Sequence, residues 1–99
     1  MTHTVTLTPK TAAIVMASGE VQHLSHRKKI KLEFAQEIVG GWVEMLKISA
    51  THIMLCDDEG LLKNKPTNSA ATALAHDAGL LHPHGRIAGN VIICRSEQF

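Results

Sequence analysis

Aromatic side chains are scarce in this chain of 99 residues, which has two phenylalanines, one tryptophan and no tyrosine. A protein that binds single-stranded nucleic acid without sequence preference needs several aromatic faces on which bases stack. An excess of positive charge is also lacking, because ten lysines and arginines face nine aspartates and glutamates, for a formal net charge of +1. Surfaces that neutralise phosphates are usually far more basic. We therefore do not expect nucleic acid as a partner.

Long apolar runs and a recognisable signal sequence are absent as well. The opening residues, MTHTVTLTPK, contain no basic segment followed by an apolar core. A membrane-spanning helix needs about 20 consecutive apolar residues, and the longest apolar runs of this chain are far shorter. These features predict a cytoplasmic protein without membrane association. Cys56 and Cys94 lie in apolar segments, where a thiol most often acts as a small hydrophobe, so no disulfide is required.

Length and composition predict one globular domain, residues 1–99, because 44% of the residues are hydrophobic and 19% are charged. Hydrophobic patterning predicts strands at 3–8, 13–16, 42–48, 51–57 and 87–95. We expect the first two strands to form a hairpin, and also the next two, since only Ser49 and Ala50 separate them. The polar segment 20–32 is predicted to be an irregular connection.

Two helices are predicted between these strands. The first follows from apolar residues at the three-and-four spacing of one helical face, with Gly40 as its terminator; they are Leu32, Ala35, Ile38 and Val39. The second covers the alanine-rich segment TNSAATALAHDAG, with Thr67 or Asn68 as its cap and Gly79 at its end. The fold class is therefore α+β, a small and mostly antiparallel sheet of about five strands with two short helices covering one face.

Two groups of side chains resemble metal sites. The turn at 57–60 places three carboxylates beside a glycine, but consecutive carboxylates point in different directions, and we interpret the turn as solvated. His82 and His84 flank a proline, and His76 would complete a zinc cluster, but an H-x-H in a loop lacks the converging ligands that zinc requires. We predict no metal and no cofactor.

Catalytic residues are not recognisable from spacing. Cys56 precedes Asp57, and a neighbouring negative charge raises the pKa of a thiol, which makes the nucleophilic thiolate scarcer. The phosphate-binding patterns G-x-G-x-x-G and G-x-x-x-x-G-K-[ST] are absent from the sequence. Catalysis stays open as a function, but no residue supports it.

Glu44 is the carboxylate whose setting is unusual. In WVEMLKI it alternates with Trp42, Leu46 and Ile48, so a regular strand places it on the same face as three apolar side chains. An unpaired buried charge is costly, so Glu44 either lies at the rim of the sheet or has a partner. Lys47 lies on the opposite face of the strand, and the partner would come from elsewhere in the chain or from a ligand.

Three fragments in this order, EIVGGWVEML, MLCDDEGLLKNKPTNSAATAL and IAGNVIIC, resemble a small domain family of unknown function found in bacteriophage, prophage and plasmid genomes. The resemblance covers about residues 32–95. The sequence departs from the family pattern at Asp57, where asparagine is usual, and at Lys65, where leucine precedes the proline. The matching positions are Val39, Gly40, Gly41, Trp42, Glu44, Asp58 or Glu59, Gly60, Leu62, Pro66, Asn68, Ala71 and Gly89.

This resemblance implies a mobile-element protein in the host cytoplasm, where small proteins commonly act by occupying a host molecule. The first hypothesis is a non-catalytic protein that binds and blocks a host protein such as a defence component, alone or as a homodimer, through a strand edge or apolar patch. The second is binding of a small nucleotide-like ligand, and an uncharacterised small enzyme is the third. The ligand-binding residues of the second hypothesis are Trp42, Glu44, Asp58, Glu59 and Asn68.

Each of these positions also has a purely structural interpretation. Asn68 is a natural helix cap, Gly60 a turn residue, and Pro66 a residue that stiffens the approach to the helix. Clustering of the candidate residues in one pocket would favour a small ligand. Dispersal, or burial as turn and cap supports, would favour a protein partner.

Overall fold

The computed structural model describes residues 12–24 and 29–99, which form one five-stranded antiparallel sheet with two α-helices. The strands are β1 (Ala12–Val15), β2 (Val21–Leu24), β3 (Val43–Lys47), β4 (His52–Asp57) and β5 (Val91–Arg95); the helices are α1 (Leu32–Val39) and α2 (Ser69–Asp77), with a 3-10 turn at Ser96–Gln98. The sheet order is β2-β1-β5-β4-β3, so β2 and β3 are its edges. The predicted α+β class is confirmed.

The N-terminal hairpin differs from the prediction. The predicted strand at 3–8 lies outside the described residues, and β1 pairs with β2, from Ala12 opposite Leu24 to Val15 opposite Val21. The prediction of an irregular connection was therefore wrong for Val21–Leu24. An edge strand obtains its hydrogen bonds from one neighbour and needs no apolar face, so the polar side chains of β2 gave no alternating signal.

Both faces of the sheet are covered, not one as predicted. Along β4, Ile53 and Leu55 pack in the cluster on the α1 side, while Met54 and Cys56 pack in the cluster on the α2 side. Strands buried on both faces are expected to be continuous apolar runs without alternation, and β4 and β5 have that composition. The two helices therefore lie on opposite faces of the sheet.

The predicted ends of the helices are confirmed. Gly40 ends α1 in the left-handed conformation, with φ of 81°, and its N–H donates to the carbonyl of Gln36. Asn68 caps α2, and Gly79 follows that helix with φ of 73°. No helix in the described ranges has the length and hydropathy needed to cross a membrane.

Candidate functional site

The five residues predicted to contact a ligand do not share one pocket. Trp42 and Glu59 line a groove beside α1, whereas Glu44 and Asp58 line a second groove on the α2 side of β3. Asn68 is fully buried. Trp42 precedes the first residue of β3, so the alternation that predicted a shared face with Glu44 does not extend to it. This dispersal favours a protein partner over a small ligand.

Asn68 holds three parts of the fold together. Its amide nitrogen donates to the carbonyls of Val15, at 2.8 Å, and Gly89, at 2.9 Å, and its side-chain oxygen accepts from the N–H of Ala71, at 3.1 Å. Both amide hydrogens are thus used inside the protein. The structural interpretation, a helix cap, describes this residue, which also joins β1 to the segment before β5.

Glu44 lies at the rim of the sheet, the first of the two interpretations open from the sequence. It belongs to the edge strand and is exposed, opposite Cys56 in the pairing of β3 with β4. The thiol of Cys56 lies 4.0 Å from a carboxylate oxygen of Glu44 and 3.8 Å from its backbone carbonyl. No buried unpaired charge arises, because water reaches the carboxylate.

The acidic turn contains an ion cluster that the sequence analysis missed. The Asp57 side chain is fully buried, and its Oδ2 accepts from the ammonium groups of Lys63, at 2.9 Å, and Lys65, at 2.7 Å. Its Oδ1 accepts from the N–H of Glu59. The prediction of a solvated turn was wrong for Asp57, although Asp58 and Glu59 are exposed. The opposite charges of Asp57 and Lys65 were the available signal in the sequence.

The same lysines bind the C-terminus of α1. Lys65 donates to the carbonyl of Val39 at 2.6 Å, and Lys63 donates to the carbonyl of Gly40 at 3.1 Å. These carbonyls have no partner within the helix, and positive charge is favourable at the negative end of its dipole. A Cβ at Gly41 would lie 2.6 Å from Oδ1 of Asp57. Gly41 is therefore required for close approach of the backbone to the ion cluster, and not only for the turn into the sheet.

The ion cluster makes stability depend on acid pH. Burial alone raises the pKa of the Asp57 carboxyl, but hydrogen bonds from Lys65, the Glu59 backbone and Lys63 outweigh it and hold the pKa below its ordinary value of 3.8. The unfolded chain binds the proton more readily than the folded one, so stability is fully present above that value and is lost as pH falls through the lower folded pKa. We expect urea midpoints to fall as the pH drops below about 4.

The control for this prediction is the Asp57→Asn variant, measured by urea unfolding over the same pH series. The other carboxylates are present in both proteins, so the plot of urea midpoint against pH should be flatter for the variant than for the wild type in this range. Curves of equal slope would contradict the role given to Asp57.

Exposed leucines from two loops form the second groove, which we call the leucine groove. Its volume is about 390 Å³, and its apolar lining consists of Leu46, Leu61, Leu62, Leu80, Leu81 and Ile87. Leu62 is 81% exposed. Glu44, Asp58 and Arg86 add charge to its lining. Exposed apolar groups that form a contiguous patch with polar residues around it mark binding surfaces. The groove could not be predicted from the sequence because its two leucine pairs, Leu61–Leu62 and Leu80–Leu81, are distant in the chain.

Neither cysteine is in a setting that favours a thiolate, and the described residues contain no metal-binding group. Burial, and then the neighbouring carboxylates of Glu44, Asp57 and Asp58, raise the pKa of Cys56 to about 12. The predicted direction is confirmed, although burial contributes more than charge. Burial likewise raises the pKa of Cys94 to about 12, so both thiols are protonated at neutral pH. Across residues 12–24 and 29–99, no three His, Cys, Asp or Glu side chains are arranged to hold a metal ion.

Together, the fold and the grooves define a small α+β domain that uses its buried polar side chains for internal contacts and exposes an apolar groove. The chain belongs to the family described as domain of unknown function DUF3846, whose model matches residues 8–98. The predicted membership in a small domain family of unknown function is confirmed. No curated protein and no solved structure matches the chain.

Proposed function

We propose that the protein is a non-catalytic accessory protein of a mobile genetic element that binds and blocks a host protein in the host cytoplasm. The observation that supports this proposal is the leucine groove, which presents Leu61, Leu62 and Leu80 to solvent. Burial of one leucine side chain contributes about 1.5–3 kcal/mol. A few well-packed side chains at the centre of an interface supply most of its binding free energy.

The occupant of the leucine groove in this proposal is an apolar segment of the host protein. Glu44 and Asp58 add negative charge to the lining, and Arg86 adds positive charge; none of the three has an ion pair within the described residues. Charged groups at the rim of an interface select the partner more than they strengthen binding. The mobile-element setting, which rests on the resemblance of the sequence fragments, favours a host defence component as the partner.

The two other hypotheses have less support. A nucleotide-like ligand stays a prediction, since the residues proposed for it are dispersed and Asn68 uses both amide hydrogens internally. Catalysis by Cys56 or Cys94 would need a thiolate that their raised pKa values disfavour. A thermal shift with a nucleotide panel tests the ligand hypothesis directly, because a bound ligand raises the melting temperature.

Replacing Leu62 with aspartate is expected to abolish partner capture. The change removes an apolar contact and places a charge in the groove, which should weaken binding by at least about tenfold, given about 1.5–3 kcal/mol for one leucine. The immobilised protein is incubated with host lysate, and captured proteins are quantified by mass spectrometry for wild type and variant.

The matched control is Val21→Asp, which changes an exposed apolar residue on β2, at the opposite edge of the sheet. It should leave capture unchanged. The proposal fails if Leu62→Asp captures the same proteins as the wild type, or if Val21→Asp loses them equally. Thermal melts of all three proteins separate loss of binding from loss of folding.

A further inference from the structure

The outer edge of β3 carries backbone groups that no described residue pairs with. The Trp42 carbonyl accepts from the N–H of Asp58, and the Ile48 N–H donates to the carbonyl of His52, so even-numbered backbone groups face β4. In an antiparallel ladder the groups of alternate residues point to opposite sides. The N–H and C=O groups of Val43, Met45 and Lys47 therefore point outward.

Exposed apolar side chains accompany this free edge. Trp42 is 69% exposed and Met45 is 57% exposed. Natural edge strands avoid association when they are short, charged or covered. Two of the five residues of β3, Glu44 and Lys47, are charged, so an added strand must leave Glu44 in water and give Lys47 a negative partner. The large apolar side chain of Met45 at the centre of this edge favours such an addition.

A groove of negative charge adjoins the N-terminal end of β3, and we call it the acidic groove. It lies on the α1 side, because α1 contributes Glu33, Gln36 and Glu37 to its lining, beside Gly41, Trp42, Glu59 and Lys63. The three glutamates have no ion pair within the described residues. Lys63 is already paired with Asp57. The acidic groove thus favours a positive side chain, which the indole of Trp42 also attracts.

We propose that β3 pairs with β3 of a second copy in an antiparallel, two-fold symmetric dimer, and that Lys47 of each copy enters the acidic groove of the other. In the register centred on Met45, Val43 of one copy lies opposite Lys47 of the second copy. Val43 belongs to the cluster on the α1 side, and alternation places Lys47 on that side too. The entering lysine therefore lies on the face of the sheet where the acidic groove opens, one residue from Trp42.

Charge and pairing select this register over its neighbours. Centring the pair on Glu44 places two glutamates directly opposite each other, which is destabilising. Centring it on Leu46 moves Lys47 of the second copy to a position opposite Met45, two residues farther from the acidic groove. The register centred on Met45 pairs all of Val43–Lys47 and uses every outward backbone group. The dimer is a continuous ten-stranded sheet. The leucine groove takes Glu44 and Leu46 from the α2 side of β3, whereas the dimer is tested at Lys47, Glu37, Glu59 and Met45, which do not line that groove, so its test does not depend on the proposed function.

A charge-reversal experiment tests the dimer. Sedimentation equilibrium of the full chain should show a monomer–dimer equilibrium. Two variants should each have a dimer dissociation constant at least about tenfold higher, because each creates like-charge contacts at both symmetric ends. One is the single change Lys47→Glu, and the other combines Glu37→Lys with Glu59→Lys. An equimolar mixture of the two variants should recover the dimer, since both ends of the mixed dimer then pair opposite charges. Glu20→Lys, an exposed change in the β1–β2 turn, is the control and should dimerise like the wild type.

The register is tested by a cysteine at its centre. Directly opposite residues that share hydrogen bonds have Cα atoms about 5.5 Å apart, within the range of a disulfide. An added oxidant should therefore cross-link Met45→Cys into dimers, while Leu62→Cys stays monomeric; Cys56 and Cys94 are buried. Four results would each overturn the proposed dimer. They are a wild type that is monomeric at all concentrations, reversal variants that dimerise normally, a mixture that fails to recover the dimer, and no cross-link at position 45.

Discussion

Replacing Asn68 with alanine is expected to lower the free energy of unfolding by about 3–5 kcal/mol. The change removes the amide donors to the buried carbonyls of Val15 and Gly89, and loss of a hydrogen-bond partner at a buried group costs about 1–3 kcal/mol. It also removes the cap on the N–H of Ala71, for about 1 kcal/mol more. The measurement is urea unfolding monitored by circular dichroism.

Two variants make this prediction specific. Asn68→Asp retains an acceptor for the helix N–H but loses both donors, so it should also destabilise the protein, because the two carbonyls then lie beside a buried carboxylate that cannot donate to them. Ser69→Ala changes an exposed neighbour and should shift stability by less than about 0.5 kcal/mol. An Asn68→Ala protein as stable as Ser69→Ala would contradict the structural role given to Asn68. A loss of ligand binding in Asn68→Ala would not by itself indicate a binding site.

Asp57→Asn is expected to cost about 3 kcal/mol, because it leaves two lysine ammonium groups beside a neutral amide. Breaking a buried ion pair costs about 3–5 kcal/mol. The lower end applies here, since the side chains of Lys63 and Lys65 are 37% and 23% exposed and can turn toward water. The asparagine retains an acceptor for the Glu59 N–H, so the change in charge is isolated.

Changing Asp57 and Lys65 together is expected to cost less than the sum of the single changes. Lys65→Leu alone leaves Asp57 with one ammonium partner, whereas Asp57→Asn with Lys65→Leu removes the pair as a unit. We expect a coupling free energy of about 1–2 kcal/mol in the double-mutant cycle, measured by urea unfolding of the four proteins. Additive costs would show that the two residues do not act as a pair. Asp58→Asn, an exposed change in the same turn, is the control.

Elements fixed by local interactions were predictable from the sequence. The end of α1 at Gly40 and the cap of α2 at Asn68 depend on residues within one helical turn. The β3–β4 hairpin was also predictable, because two apolar segments with a short connection have one simple way to pair. β2 was missed because its stability comes from pairing with β1, which leaves no apolar pattern in its own side chains.

The candidate site was predictable in part. The segment from Gly40 to Glu44 does adjoin both grooves, but its residues divide between them. Glu44, which the sequence marked as needing an explanation, is explained by its place on an edge strand that water reaches. In the acidic turn the carboxylate with ion-pair partners is Asp57, and these partners, Lys63 and Lys65, come from the loop that follows.

By itself, the sequence determined the α+β class, both helices with their ends, and the β3–β4 hairpin, because propensity, capping and periodicity act over a few neighbouring residues. Only the tertiary structure decided which polar residues are buried, since Asn68 donates to Val15, far along the chain, and Lys65 reaches Asp57 only because the loop after β4 folds back over it. It also decided where the leucine groove and the free edge of β3 lie, because surfaces of this kind form only when separate loops and strands come together in space.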